Sequence, residues 1–137
     1  MPGLTDLETI LSTLEPTIRT GEFVYASVSE HMARGLPTQA LIHENEGVTV
    51  VLHREHADAA GVEYEFVAAW ISLTVHSSLE AVGLTAAFAA ALGEAGVSCN
   101  VLAGFHHDHI LVPIEQASLA LQTLGELSTR TTQRYSD

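Results

Sequence analysis

The sequence predicts an α+β fold of two tandem ferredoxin-like (βαββαβ) modules with antiparallel sheets. Three observations carry this. Hydrophobic periodicity switches repeatedly between helical and extended spacing along the 137 residues. The element order is α-β-β-α-β in the first half and β-α-β-β-α in the second, each five sixths of the split β-α-β-β-α-β unit. An apolar run at residues 62–75, VEYEFVAAWISLTV, is too long for one ordinary strand of about 5–6 residues and stands where one copy would end and the next begin. The predicted modules are 1–67, a divergent αββαβ copy, and 68–137, a βαββα copy.

Leu4, Leu7, Ile10, Leu11 and Leu14 recur at three and four and form one face of a first helix, which Pro16 stops. Glu22 to Val28 is rich in aromatic and β-branched residues and predicts a strand. From Ser29 to Asn45 the pattern is broken by Gly35 and Pro37, and only Gln39 to His43 reads as extended. Gly47 to Leu52 predicts a strand, and His53 to Ala60 a short helix closed by Gly61. Residues 62–75 read as two strands in series with a bend at Ala68-Ala69.

Ser77-Ser78-Leu79-Glu80 has the form of a capping box. The helix it opens carries Leu84, Phe88 and Leu92 at four-residue spacing, with Gly93 and Gly96 ending it. Val97 to Ala103 and His109 to Val112 predict two strands joined by a tight Gly104-to-Asp108 connection. The last helix runs from Ile114 to Leu127 with Leu119, Leu121 and Leu124 on its apolar side, and its Thr-, Arg- and Gln-containing end is expected to fray.

Charge narrows the function classes. Seventeen acidic side chains face five basic ones, for a formal charge of −12. Such a chain repels polyphosphates and anionic leaflets, so neither nucleic acid nor a membrane is an expected partner. With no Lys there is no Schiff-base or P-loop lysine chemistry. Met1 to Asp6 shows no secretion-signal pattern, and the single Cys99 forms no intramolecular disulfide, so the expected compartment is the cytoplasm. No Gly-x-Ser-x-Gly elbow, Gly-rich phosphate loop or CxxC occurs, and the reading is of a protein that is not an enzyme and needs no cofactor. Trp70 reads as packing rather than a ligand platform.

The run His76 to Pro113 resembles the ACT domain of small bacterial tandem-ACT proteins. These are related to the regulatory ACT pair of aspartate kinases and to the arginine-sensing CASTOR proteins. The likeness rests on Ser77, Ser78, Ala81, Val82 and Gly83 at the strand-to-helix turn, on Gly96 to Val101, and on Asp108 before Ile110-Leu111-Val112. Over residues 1–60 it rests on element order and on Glu46-Gly47-Val48-Thr49. It implies a non-catalytic regulator that binds a small molecule, usually an amino acid, where modules meet.

A free amino acid brings a carboxylate and an ammonium that must both be satisfied. The backbone amides around Val82, Gly83 and Leu84 and the hydroxyls of Ser77 and Ser78 sit at a helix N-terminus, which favours the carboxylate. Asp108 and strand-edge carbonyls near Asn100 are the candidates for the ammonium. Exposed sheet edges make a homodimer the expected assembly, with an unknown protein partner as a further expectation.

Two alternatives stay open. His106-His107-Asp108-His109 suggests a metal- or proton-responsive protein, with His107 and His109 on one face of a strand and His76 or His43 completing a ligand set. The other is an interaction module without a ligand. His53 and His56 lack the spacing of the metalloprotease motif and read as a solvated face.

Overall fold

A computed structural model describes residues 6–74 and 83–135. The chain divides into two compact units that do not follow chain order. An inner unit spans Thr20–Ala69, and a composite unit joins Met1–Arg19 to Trp70–Asp137.

The inner unit contains strand β2 (Phe23–Val28), helix α2 (Glu30–Arg34), strands β3 (Ala40–His43) and β4 (Val48–His53), and helix α3 (Arg54–Ala60). The chain then enters β5 (Val67–Thr74), which passes into the composite unit after Ala69. The strand order is β5-β2-β4-β3 with antiparallel neighbours. Period-two alternation puts Val24, Ala26, Val48, Val50 and Leu52 on one face, packed with Ala33, Ala57 and Val62. Gly61 ends α3 in the left-handed region (φ 71°), where a side chain would strain the backbone.

The region that looked patternless in sequence contains α2, whose N-cap Ser29 accepts from the Met32 amide at 3.1 Å. Five residues are too few to show a helical stripe, and the neighbouring Gly35 and Pro37 break what pattern there is. Residues 62–66 form no strand, and β5 is a single strand that runs straight through Ala68 and Ala69. The expected bend is absent: both alanines are fully buried within the strand, and Ala68 pairs with Phe23.

The composite unit contains helix α1 (Asp6–Ser12), strand β1 (Glu15–Ile18), the rest of β5, helix α4 (Leu84–Glu94), strands β6 (Asn100–Ala103) and β7 (Asp108–Pro113), and helix α5 (Ala117–Tyr135) after a 3-10 turn at Ile114–Gln116. Its strand order is β1-β5-β7-β6. Pro16 lies inside β1, opposite Leu73. A proline is tolerated because β1 is an outer strand. Once β1 is taken as the final strand, both units follow one βαββαβ order. The inner unit is β2-α2-β3-β4-α3-β5, so it takes α2 and β3 from residues 29–45 and does not use the first helix of the chain. The composite unit is β5-α4-β6-β7-α5-β1 and takes its last strand from the beginning of the chain.

The Leu84, Phe88 and Leu92 stripe of α4 is buried as its spacing predicts. The helix runs past Gly93 to Glu94 with Ala95 as C-cap, so Gly96 alone (φ 78°) marks the turn. The strand expected from Val97 begins only at Asn100. On α5 the buried positions are Ala120, Thr123 and Leu124, while Leu119 is exposed. The hydroxyl of Thr123 donates to the Leu119 carbonyl at 2.8 Å, which explains how a polar residue holds a core position. The helix does not stop at Leu127 but continues through the polar end to Tyr135.

Candidate functional site

Among the sequence-predicted binding residues, Ser77, Ser78 and Val82 lie outside the described residues, as does the capping box. Gly83 is the N-cap of α4 with φ 93°, a conformation that favours glycine. A Cβ on it would come within 3.0 Å of Leu7 Cδ2. Gly83 itself has no side chain with which to cap the first turn of α4. The Leu84 side chain is buried, which leaves only its backbone for a ligand.

Asp108 opens β7 opposite Ala103, while Asn100 opens β6 opposite Leu111. Three residues of strand separate these positions, about 10 Å at 3.3–3.4 Å per residue. The structure therefore holds Asn100 and Asp108 at opposite ends of one hairpin. The Asn100 amide is also engaged locally, donating to the Leu111 carbonyl at 3.3 Å.

A network that no local motif announces lies between three distant segments. Trp70 on β5 donates its indole N–H to His109 Nδ1 on β7 at 3.1 Å, and the Ser72 hydroxyl is 2.8 Å from the same nitrogen. The Arg19 guanidinium stacks over the Trp70 ring at 4.4 Å. An indole N–H only donates, so this bonding assigns Nδ1 as an unprotonated acceptor, with the neutral ring carrying its proton on Nε2. Burial lowers the His109 pKa first, Arg19 and His107 lower it further, and Asp108 partly opposes them. Alternation along β5, which puts Trp70 and Ser72 on one face, was the only sequence signal for this cluster.

The metal alternative finds little footing. The His107 and His109 rings are 6.3 Å apart, and His109 Nδ1 is taken by Trp70 and Ser72. Among the described residues, no three His, Cys, Asp or Glu side chains gather to hold a metal ion. His43 instead lies 3.5 Å from Glu30, and His76 falls outside the described residues. His53 is not simply solvated, since its ring packs 4.3 Å from that of Phe23. Cys99 precedes β6 rather than lying in it, and burial pushes its thiol pKa up, away from nucleophile or ligand chemistry.

Sequence models of the ACT domain match residues 2–69 and again residues 65–126. The chain belongs to the ACT-domain family. ACT domains act as small-molecule regulatory modules and are not catalysts. A Vibrio cholerae protein of unknown function, described as a possible transport protein, is 46% identical, with 89% of this chain and 95% of that one covered and a TM-score of 0.82. The ligand-free regulatory subunit of aspartate kinase from Thermus thermophilus is 12% identical, covers 82% of this ACT protein and 95% of its own chain, and has a TM-score of 0.63. An Agrobacterium tumefaciens protein is 16% identical over 84% of this chain and 89% of its own, at a TM-score of 0.64. At such identities the last two show the fold alone. None of the curated proteins compared matches the sequence. Among the described residues, no helix is long and apolar enough to cross a membrane.

Proposed function

We propose that this ACT protein is a non-catalytic sensor of a small amino acid, acting in the cytoplasm as a homodimer that passes its ligand state to a protein partner. The place of Gly83 as the N-cap of α4, in a conformation that favours glycine, supports this most directly. In a chain with formal charge −12 and only five cationic side chains, backbone amides at a helix N-terminus are the available means of holding a carboxylate. Gly83 and Leu84 supply amides, joined by Val82 and the hydroxyls of Ser77 and Ser78. Asp108 holds the ammonium. Asn100 cannot share that ammonium across about 10 Å of hairpin, so it bounds the site rather than contacting the charged end. Ligand binding then alters assembly or partner affinity by linkage.

Calorimetric titration of the twenty common amino acids tests the reading. One of them, or a close group, binds, and Asp108→Asn weakens that binding by about tenfold or more while Glu80→Gln leaves it within about twofold. Equal effects of the two substitutions, or no binding by any amino acid, would overturn it. A proton-responsive reading is supported separately by the Trp70–His109 bond, whose geometry depends on the protonation state of Nδ1.

A further inference from the structure

The inner unit contains a cavity of about 820 Å³ between β2 and the segment 62–66, lined by Tyr25, Ser27, Glu63, Tyr64, Glu65 and Phe66. Its origin lies in the strand register. β2 pairs with β5 only at Phe23 opposite Ala68 and Val24 opposite Val67. Residues 62–66 lie outside the ladder, and from Tyr25 onward β2 has no β5 residue paired with it. The cavity is a groove open to solvent, and it sets aromatic side chains beside a few polar groups, a mixture common in small-ligand sites.

We propose that this cavity is a second binding site, selective for an organic ammonium that carries an apolar body. Tyr25 and Phe66 stack with ring centroids 6.0 Å apart and an interplanar angle of 29°, forming an aromatic wall for both the apolar body and a cation. Among the described residues, the hydroxyls of Tyr25 and Ser27 make no hydrogen bond within the protein, and the carboxylates of Glu63 and Glu65 make no ion pair. Burial raises the Tyr25 pKa and keeps the phenol neutral, able to donate or accept. The Tyr64 hydroxyl is committed, donating to Asp58 at 2.6 Å and accepting from Arg54 at 2.9 Å, and the Arg54 guanidinium lies over its ring at 5.7 Å, so the cation-binding face is that of Tyr25 and Phe66 and Tyr64 is apolar wall.

Among the described residues, no cationic side chain lines the cavity. Arg54, which reaches the Tyr64 hydroxyl, is also bound to Glu22 at 3.1 Å. An ammonium therefore meets two free carboxylates, two free hydroxyls and a π-face, while a carboxylate meets like charge with no donor of positive sign. This selectivity is opposite to that of the α4 site proposed above, which needs a carboxylate on its ligand.

Titration of the full chain with phenethylammonium chloride, followed by calorimetry at fixed ionic strength, tests the inference. Saturable binding is expected, with none for phenylacetate. The double substitution Glu63→Gln with Glu65→Gln weakens it by about tenfold, and Phe66→Leu by about threefold to fivefold. A control with the same change in net charge, Glu115→Gln with Glu126→Gln, leaves it within about twofold. Asp108→Asn also leaves it unchanged, so this site and the amino-acid site fail or survive separately. Equal binding of phenylacetate, equal weakening by the control, or no saturation below about 10 mM overturns the proposal.

Discussion

Acidification from about pH 7.5 to about pH 5 should destabilise this protein through His109 in particular. In the neutral ring Nδ1 accepts the Trp70 N–H at 3.1 Å and lies 2.8 Å from the Ser72 hydroxyl. Protonation turns that acceptor into a donor. Ser72 can rotate to accept, but the indole N–H cannot, and Trp70 is only 3% exposed, so its donor has no ready route to water. The cost is one buried hydrogen bond, about 1 kcal/mol, with the larger penalties for an orphaned group moderated because the imidazole itself is half-exposed. The direction follows from the shift. Burial, Arg19 and His107 outweigh Asp108 and place the folded pKa below the ordinary histidine value of about 6.5, so the unfolded chain binds the proton more readily. The stabilisation is fully present above about pH 6.5 and is lost as pH falls through the folded pKa.

Urea unfolding across this range, compared between wild type and His109→Gln, isolates the effect from the other seven histidines. The wild type should lose about 1 kcal/mol more than the variant. Fluorescence of Trp70, the single tryptophan, should change over the same interval in the wild type alone. Parallel stability curves for the two proteins, or a His109 NMR titration midpoint above about 6.5, would refute the reasoning.

Phe88 is fully buried on α4, and Phe88→Ala should cost about 3–5 kcal/mol in urea unfolding, a large part of a typical domain's stability. Ser29→Ala removes the acceptor for the Met32 amide and should cost about 1 kcal/mol, with faster hydrogen exchange confined to the first turn of α2.

The α4 stripe and the strand at residues 48–53 were legible because each repeats one spacing over enough residues for the period to show. Helix α2 was hidden by its length, although Ser29 followed by Glu30 was a usable cap signal. β1 was hidden for another reason. Its partner, β5, lies more than fifty residues along the chain, and a local reading sees Pro16 only as a helix stop. The candidate site divides in the same way. Gly83 and Asp108 belong to short local patterns, whereas Arg19, Trp70 and His109 meet through tertiary pairing. The aromatic cavity depends on where a strand ladder ends, and residue types alone do not encode that.

The pairing of β1 with β5 also bears on synthesis. As the chain leaves the ribosome, Glu15–Ile18 emerges long before Ile71–Thr74, and the whole inner unit must be made in between. During that interval β1 is an unpaired strand open to the wrong partners. Its sequence, Glu-Pro-Thr-Ile, suits the wait: a charge and a proline discourage edge pairing, and only one residue is strongly apolar. Closure then spans a segment that has already had the chance to fold, so its entropic cost is below that of a flexible loop of the same length. A released chain truncated after Trp70 should therefore hold the inner unit's helices and β2–β4 while leaving its first nineteen residues open to protease.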